Sequence, residues 1–550
     1  MTPPRPKRCP NPLWVRVNLS SEELSTLYDE LRFEFGPSVV TLERANGLRT
    51  MLALADKDIE DHALEVACLT DSEQRMIVQT EQKRLETQRA VLLSLLSPMR
   101  KLPNETLLRI FKHVCEDNHL QCYPWIELYY PFSRISHPNT MSSRALTYLP
   151  TMAIGSVCSR WRALALSSPT LWANLTVEIC TVKGSQVEHL TGFIDNVTLY
   201  LERSGDWPLR LSLIIRGNGE EIPSLIQIKR HAWRWKTLKY QEDCFLTGKR
   251  IFSQLRFPLL VELDLGGWGS HPEPDVLDCF EFCPKLRALT VTWPWPASKV
   301  PYNQLDYINF GHGQSKTGWM EALRICSHLK SFEMGGYNLE EGGLGTCANA
   351  NVASFSLATA SNSTDTVLSS LNLPSLNNLV LDGPGGSWRT DTFISFVSRS
   401  SCTITTFALH RISVSDLDLI AAFRVMPALL HFEVNQYGPS ENPFTSHLIS
   451  SLTHHQSTSI PLVPKLHSLR LKLPTDAFDD AAFVNMVHSR WFKPGSGLSA
   501  EMLAKGKGCI RSVVLKFTSR EVNAEIYKPL QILDAEGLRV VISGTNGVQV

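Results

Sequence analysis

From about residue 235 onward the chain keeps returning to one six-residue unit, apolar-x-x-apolar-x-apolar. It opens as Trp235/Leu238/Tyr240, Leu260/Leu263/Leu265, Leu286/Leu289/Val291 and Leu305/Ile308/Phe310. It continues as Leu329/Phe332/Met334, Val352/Phe355/Leu357, Leu376/Leu379/Leu381 and Ile404/Phe407/Leu409. It closes as Leu429/Phe432/Val434, Leu466/Leu469/Leu471 and Ile510/Val513/Leu515. The steps between first members are 25, 26, 19, 24, 23, 24, 28, 25, 37 and 44 residues. The last two apolar residues of a unit are two apart, so they point to one face of a strand. One strand cannot bury that face alone, whereas a stack of neighbours can. A looser strand, Leu209-x-Leu211-x-Leu213-x-Ile215, is read as the start of the series. Between units lie helical patterns, such as Val276-Leu277-Phe280 and Thr392-Phe393-Phe396-Val397, expected to form an outer layer.

Most of these steps fall in the roughly 20–29-residue period of leucine-rich repeats, which the series resembles. The fixed Asn of those repeats is absent here, and the last two steps are long. The resemblance implies an α/β solenoid over 176–550. The strand positions between the paired core residues would then face outward on its concave side. Among them Lys239, Asp264, Asn309, Glu333, Glu433 and Arg470 are expected to face a bound target. The row mixes charge signs and polarity, which suits a protein surface better than a polyanion. Trp268, Trp293, Trp295 and Trp388 follow strands and are read as loop residues, available either for contact or for packing over the repeat edge.

A second pattern precedes the repeats. Leu107, Ile110, Phe111 and Val114 fall at i, i+3, i+4 and i+7, one apolar face of a helix. Pro103 suits the helix start, because its missing N–H would be unpaired there. Ile154, Val157, Cys158 and Trp161 repeat the spacing, and Pro169 would end the second run. The ordered set Leu102-Pro103-x-Glu105-x-Leu107-Leu108-x-Ile110-Phe111, then Val157-Cys158-x-x-Trp161-Arg162, then Leu171-Trp172, resembles the F-box. That module is a three-helix unit that docks on a Skp-type adaptor. A run ahead of it, Leu96-Ser97-Pro98-x-Arg100-x-Leu102-Pro103, is similar to the large fungal F-box families. The resemblance implies that Leu102, Pro103, Glu105, Leu107, Leu108, Ile110, Phe111, Val157, Cys158 and Trp161 divide between the module's core and adaptor contact. Residues 115–149 depart from compact members; with Pro124, Pro131 and Tyr129-Tyr130 they read as a surface-loop insertion within a 97–175 module.

Ahead of the module, residues 1–19 read as a disordered tail with five prolines in the first twelve positions. Residues 20–96 read as helical. Ser20-x-x-Glu23 offers a capping box before Leu24, Leu27 and Leu31. Thr70-x-x-Glu73 offers another, so a break is expected near 70. Val78, Leu85 and Leu92 recur every seventh residue, but Glu81 and Gln88 occupy the alternate seam. A coiled coil wants both seams apolar, so a helix packed against its neighbour is the favoured reading, with a weak dimerising coil left open.

Bulk properties exclude several classes. A chain of 550 residues exceeds one core. Lys plus Arg and Asp plus Glu are both 54, giving zero net charge and no basic track for nucleic acid. No apolar leader and no membrane-length apolar run is evident. Thirteen scattered cysteines fit free thiols in a reducing, intracellular setting, cytoplasmic or nuclear. Gly311-x-Gly313-x-Ser315-Lys316-Thr317 lacks the Gly that a phosphate loop needs directly before its Lys. Cys279, Cys283, Cys326 and His328 could be imagined as a zinc set, but Cys283 and Cys326 each stand three residues before a repeat strand, where a small apolar residue packs. No hydrolase or metalloprotease motif appears.

The sequence therefore points to an F-box protein that performs no chemistry and needs no cofactor. It is expected to be the substrate-recognition subunit of an SCF-type (Skp–cullin–F-box) ubiquitin ligase. A Skp-type adaptor, and through it a cullin, would bind one end and an unknown protein substrate the other, with no membrane or nucleic acid involved. A non-degradative scaffold with an F-box is the alternative.

Overall fold

The computed structural model describes residues 15–17, 19–33, 41–69, 71–121, 149–181, 190–217, 223–242, 252–268, 274–292, 298–311, 318–337, 345–359, 363–383, 388–436, 443–454, 462–474, 478–493 and 508–547. The chain is α/β. Fifteen of the described strands form one open, parallel sheet that follows chain order. Two compact units divide it, and one boundary falls within strand β3 (Leu209–Gly217): among the described residues the first unit takes those up to Cys180, then 190–211 and 223–228, and the second takes Thr181, 212–217 and Lys229 onward.

The first unit begins with helices α1 (Ser21–Phe33), α2 (Leu42–Cys68) and α3 (Ser72–Leu96). The expected box starts α1: Ser20 N–H donates to Glu23 Oε2 at 2.8 Å, and Glu23 N–H donates back to Ser20 Oγ at 3.1 Å. The break near 70 is present, but its cap is Asp71, which accepts from Glu73 N–H at 3.0 Å; Thr70 lies outside the described residues. Helices α2 and α3 pack on each other. Val78, Leu85 and Leu92 are all buried, and Leu24, Leu27 and Leu31 of α1 close over Leu92, Val91 and Leu95. The seventh-residue spacing thus serves packing within one chain.

Residues 15–17 and 19 fall in the stretch read as a tail, and here the structure differs. Asp58, 1% exposed on its side chain, accepts from Arg16 N–H at 2.7 Å, Val17 N–H at 3.0 Å and Arg16 Nη1 at 2.8 Å. Val17 and Leu19 are buried with Ala55 beside Leu24 and Leu27. A buried carboxylate is tolerable only with such bonds. Residues 1–14 lie outside the described set.

After α4 (Asn104–Val114), strand β1 (Asn118–Gln121) pairs parallel with β2 (Asn174–Thr181), register Asn118 to Leu175. The segment 115–149 is therefore not wholly a surface loop: its start adds a strand to the sheet, while 122–148 lie outside the described residues. Helices α5 (Pro150–Val157), α6 (Ser159–Leu166), α7 (Leu190–Arg203) and α8 (Pro223–Lys229) complete the unit's described helices.

In the second unit the six-residue unit coincides with successive strands: β4 (Trp235–Glu242), β5 (Glu262–Trp268), β6 (Ala288–Val291), β7 (Tyr307–Phe310) and β8 (Ser331–Tyr337). After the two-residue β9 (Cys347–Ala348) comes β10 (Ser354–Thr359). Next is two-residue β11 (Leu371–Asn372), which pairs with β9 apart from the main sheet. The main series continues as β12 (Asn378–Asp382), β13 (Thr406–His410), β14 (His431–Asn435), β15 (Ser468–Leu473) and β16 (Ser512–Phe517), and ends at β17 (Arg539–Ser543). All three apolar residues of every unit are at most 2% exposed. The register is in phase, Phe355 opposite both Phe332 and Leu379, so like positions stack into continuous apolar rows.

The connecting elements cover one face. Helices α9 (Gly318–Ile325), α10 (Ser363–Ser370), α11 (Thr390–Ser400), α12 (Asp416–Arg424), α13 (Ser446–Leu452), α14 (Asp480–Arg490) and α15 (Ala524–Ala535) follow strands. Phe393 of α11 stacks on Phe407 of β13 at 5.4 Å, and Phe423 of α12 meets Phe432 of β14 at 4.8 Å. The pattern at 276–280 becomes a 3-10 turn over Pro274–Phe280.

Candidate functional site

Two surfaces contain the residues singled out in sequence. The first is the helical module. Pro103 takes φ −57 and ψ 151 at the start of α4, and its carbonyl accepts from Thr106 and Leu107 N–H. Leu107, Phe111 and Cys115, spaced by four, point inward and are at most 1% exposed. Phe111 meets Trp161 of α6 edge-on, ring centres 4.8 Å apart. The predicted four-residue face therefore splits. Leu107 and Phe111 enter the core, whereas Ile110 (39% exposed) and Val114 (53%) face solvent.

Val157, which shares its apolar spacing with Ile154 and Trp161, is 60% exposed. The reason is local. Cys158 adopts extended angles (φ −158, ψ 169), breaking the run into α5 and α6, and its Sγ accepts from Trp161 N–H at 3.5 Å. Ile154 stays buried, and Trp161 and Cys158 are half-buried. Leu102 and Leu108 are half-buried, while Pro103 and Glu105 are exposed. Ile110, Val114 and Val157 thus remain as apolar side chains on the module's surface.

Arg160 holds the two pieces of the module together. It is 5% exposed, and its guanidinium donates to Asn104 Oδ1 at 2.8 and 2.9 Å, Arg100 O at 2.9 Å and Leu102 O at 2.5 Å. Burial lowers its pKa from the usual arginine value, and the four acceptor contacts offset the loss of water around the charge. The planar fork fixes the turn 100–104 against α6, which a lysine could not do.

Asn118 of β1 is a second hub that sequence reasoning missed. Its Nδ2 donates to Leu171 O and Asn174 O, each at 3.0 Å. Its Oδ1 accepts from Thr151 Oγ1 at 2.8 Å, Thr151 N–H at 3.3 Å and the Tyr200 hydroxyl at 3.3 Å. Burial raises the Tyr200 pKa, so this phenol stays a donor. Nothing in the spacing around Asn118 signals these partners, which lie 33 to 82 residues away.

The second surface is the sheet face turned away from the helices. Lys239, Asp264, Asn309, Glu333, Glu433 and Arg470 all occupy it, exposed or half-exposed between buried core positions. Lys239 Nζ lies 3.7 Å from Asp264, and Glu433 is shared by Arg470 at 3.0 Å and His410 at 3.5 Å. Tyr307 is pushed up to about 12, first by burial and then by its bond to Glu333. Asp382 carries Arg411 bidentately, at 2.7 and 2.6 Å.

Trp388 is half-buried, donates to Thr390 Oγ1 at 2.9 Å and lies 4.9 Å from the Phe393 ring, so it packs rather than protrudes. Trp268 is the last residue of β5 rather than a loop residue; Trp293 and Trp295 lie outside the described residues. The Gly313–Thr317 part of the imagined phosphate loop also lies outside them.

Burial pushes the Cys283 and Cys326 thiols up to about 12, and Cys279 up to about 12 with Cys283 adding to it. A zinc ligand must be a thiolate, and these positions favour the protonated thiol. Among the described residues no cluster of three or more His, Cys, Asp or Glu is placed to hold a metal, and no helix is long and apolar enough to cross a membrane. No protein-family model and no curated protein matches the chain.

Proposed function

We propose that the chain is a substrate-recognition subunit of an SCF-type ubiquitin ligase. Residues 97–175 would act as an F-box that binds a Skp-type adaptor, and the repeat-bearing strands would bind the target as a leucine-rich-repeat-like solenoid. The observation that carries the reading is the division of the Leu102–Trp161 signature. Leu107, Phe111 and Ile154 fill a core, while Ile110, Val114 and Val157 are left on the surface. A module selected for its own stability alone would bury such side chains, each contributing roughly 1.5–3 kcal/mol. A module that docks keeps them for its partner.

The reading requires no reaction at this chain. Holding target and ligase together raises the effective concentration of one at the other. The test is capture of a Skp-type adaptor by the full chain and by the I110D/V157D double variant. Both positions are exposed, so the thermal midpoint is expected to stay unchanged while capture falls at least about tenfold. Undiminished capture by the double variant would remove the docking role, as would undiminished capture by L102A/P103A. Cullin recruitment and ubiquitination of a bound partner separate a ligase subunit from a non-degradative scaffold.

A further inference from the structure

The outward face of the second unit is not randomly charged. Strands β5 to β8 place Glu262, Asp264 and Glu333 on it, and no Lys or Arg; Lys239 of the adjoining β4 pairs with Asp264 at 3.7 Å, so the excess negative charge rests on Glu262 and Glu333. Strands β15 to β17 place Arg470, Lys472, Lys516 and Arg539 on it, and no Asp or Glu. Between them, β10 to β13 show mainly Ser, Asn, Thr, Ala and Val. The two carboxylates in that interval and just beyond are occupied, Asp382 by Arg411 and Glu433 by Arg470 and His410.

Lys472 and Lys516 are directly opposed in register, so the basic end gathers like charge on neighbouring strands. Lys516 and Arg539 are exposed. Nothing in sheet formation asks for this segregation, since alternating signs across neighbouring strands would stabilise the face.

We propose that this face binds an extended protein segment whose own charges are divided into blocks, basic over β5–β8 and acidic over β15–β17. The inference rests on the reading of the repeat face as the target-binding surface, and names the kind of target. From β8 to β15 there are five strand spacings, about 24 Å at ~4.8 Å each, which an extended chain covers in about seven residues. Complementary blocks at that separation fix both register and direction, the main return of matched charge at an interface.

The test uses the full chain and fluorescein-labelled peptides in an anisotropy titration at low salt. One peptide carries an acidic block and a basic block separated by a neutral spacer of that length; a second has the same composition with the charges alternated. The block peptide is expected to bind at least about tenfold more tightly than the alternated one. K516E/R539E is expected to weaken the block peptide by a similar factor and to prefer a peptide basic at both ends. E262K/E333K is expected to weaken it from the other side, with unchanged thermal midpoints in both variants. Equal binding of block and alternated peptides, indifference to both reversals, or binding of none would overturn the proposal. Adaptor capture in the same preparations keeps the two readings apart. Retained capture without block preference sinks only this inference, and block preference without capture sinks only the ligase reading.

Discussion

Arg160 and Arg490 show how single side chains set local geometry. Arg490 is fully buried, and its guanidinium donates to Val463 O at 3.0 Å, Leu462 O at 2.6 Å and Leu452 O. Burial lowers it to about 9, still above neutral pH, so it holds its charge while ordering the last carbonyl of α13 and two carbonyls of the segment before β15. Arg490→Met is expected to leave those acceptors without their donor and cost about 2–3 kcal/mol in a urea titration. Arg160→Leu is expected to cost a similar amount and to loosen the 100–104 turn, seen as faster amide exchange there. The cysteines offer a second check at this scale. Cys283 and Cys326, buried and raised to about 12, are expected to resist iodoacetamide in the folded chain at pH 8 and to react only on denaturation, whereas exposed Cys68 reacts in both states. Rapid native labelling of Cys283 would contradict their placement.

At the scale of elements, the strand series was legible because its rule is strict. Every unit named from spacing became a strand of the sheet with its apolar triplet buried. The last strand, β17, escaped because its first apolar position is Gly537, at φ +110 in the left-handed region. Val540 and Ile542 supply only the inner pair. Strand β1 escaped for another reason: Asn118 and His119 look polar, and their burial is set by partners distant in sequence. Helical spacing could not show the break that Cys158 imposes, which leaves Val157 on the surface and Ile154 in the core. Gly335 is an element-level test. A Cβ built there would lie 2.4 Å from Gly311 O, so β7 and β8 approach too closely for any side chain at that point. Gly335→Ala is expected to cost about 1–3 kcal/mol and to raise amide exchange in both strands; an unperturbed melting curve would show that the backbones separate freely.

At the scale of the molecule, sequence suggested a module up to 175 and a repeat array from 176. The compact first unit runs past that point, through β2 to Cys180, on through α7 to Leu211 and over 223–228, with Arg210 N–H donating to Ala173 O at 2.9 Å. Composition could not reveal this, because β2 and β3 are as apolar as the strands that follow. A chain shortened to begin near residue 182 would lose β2 and leave β3 without that neighbour. It is expected to aggregate, since an exposed long strand edge pairs with other chains; a monomeric, cooperatively melting product in sedimentation would refute that.

A sheet laid down in chain order has a consequence for inheritance. Within the main sheet each strand of the second unit short of β17 touches the main-sheet strands just before and just after it, so a copying error that inserts or deletes one whole tile disturbs two seams and spares the others. Lineages carrying such a chain can change the length of its reading surface by duplication, and the long last two steps, 37 and 44 residues, show how much extra chain a seam accepts without losing its alignment.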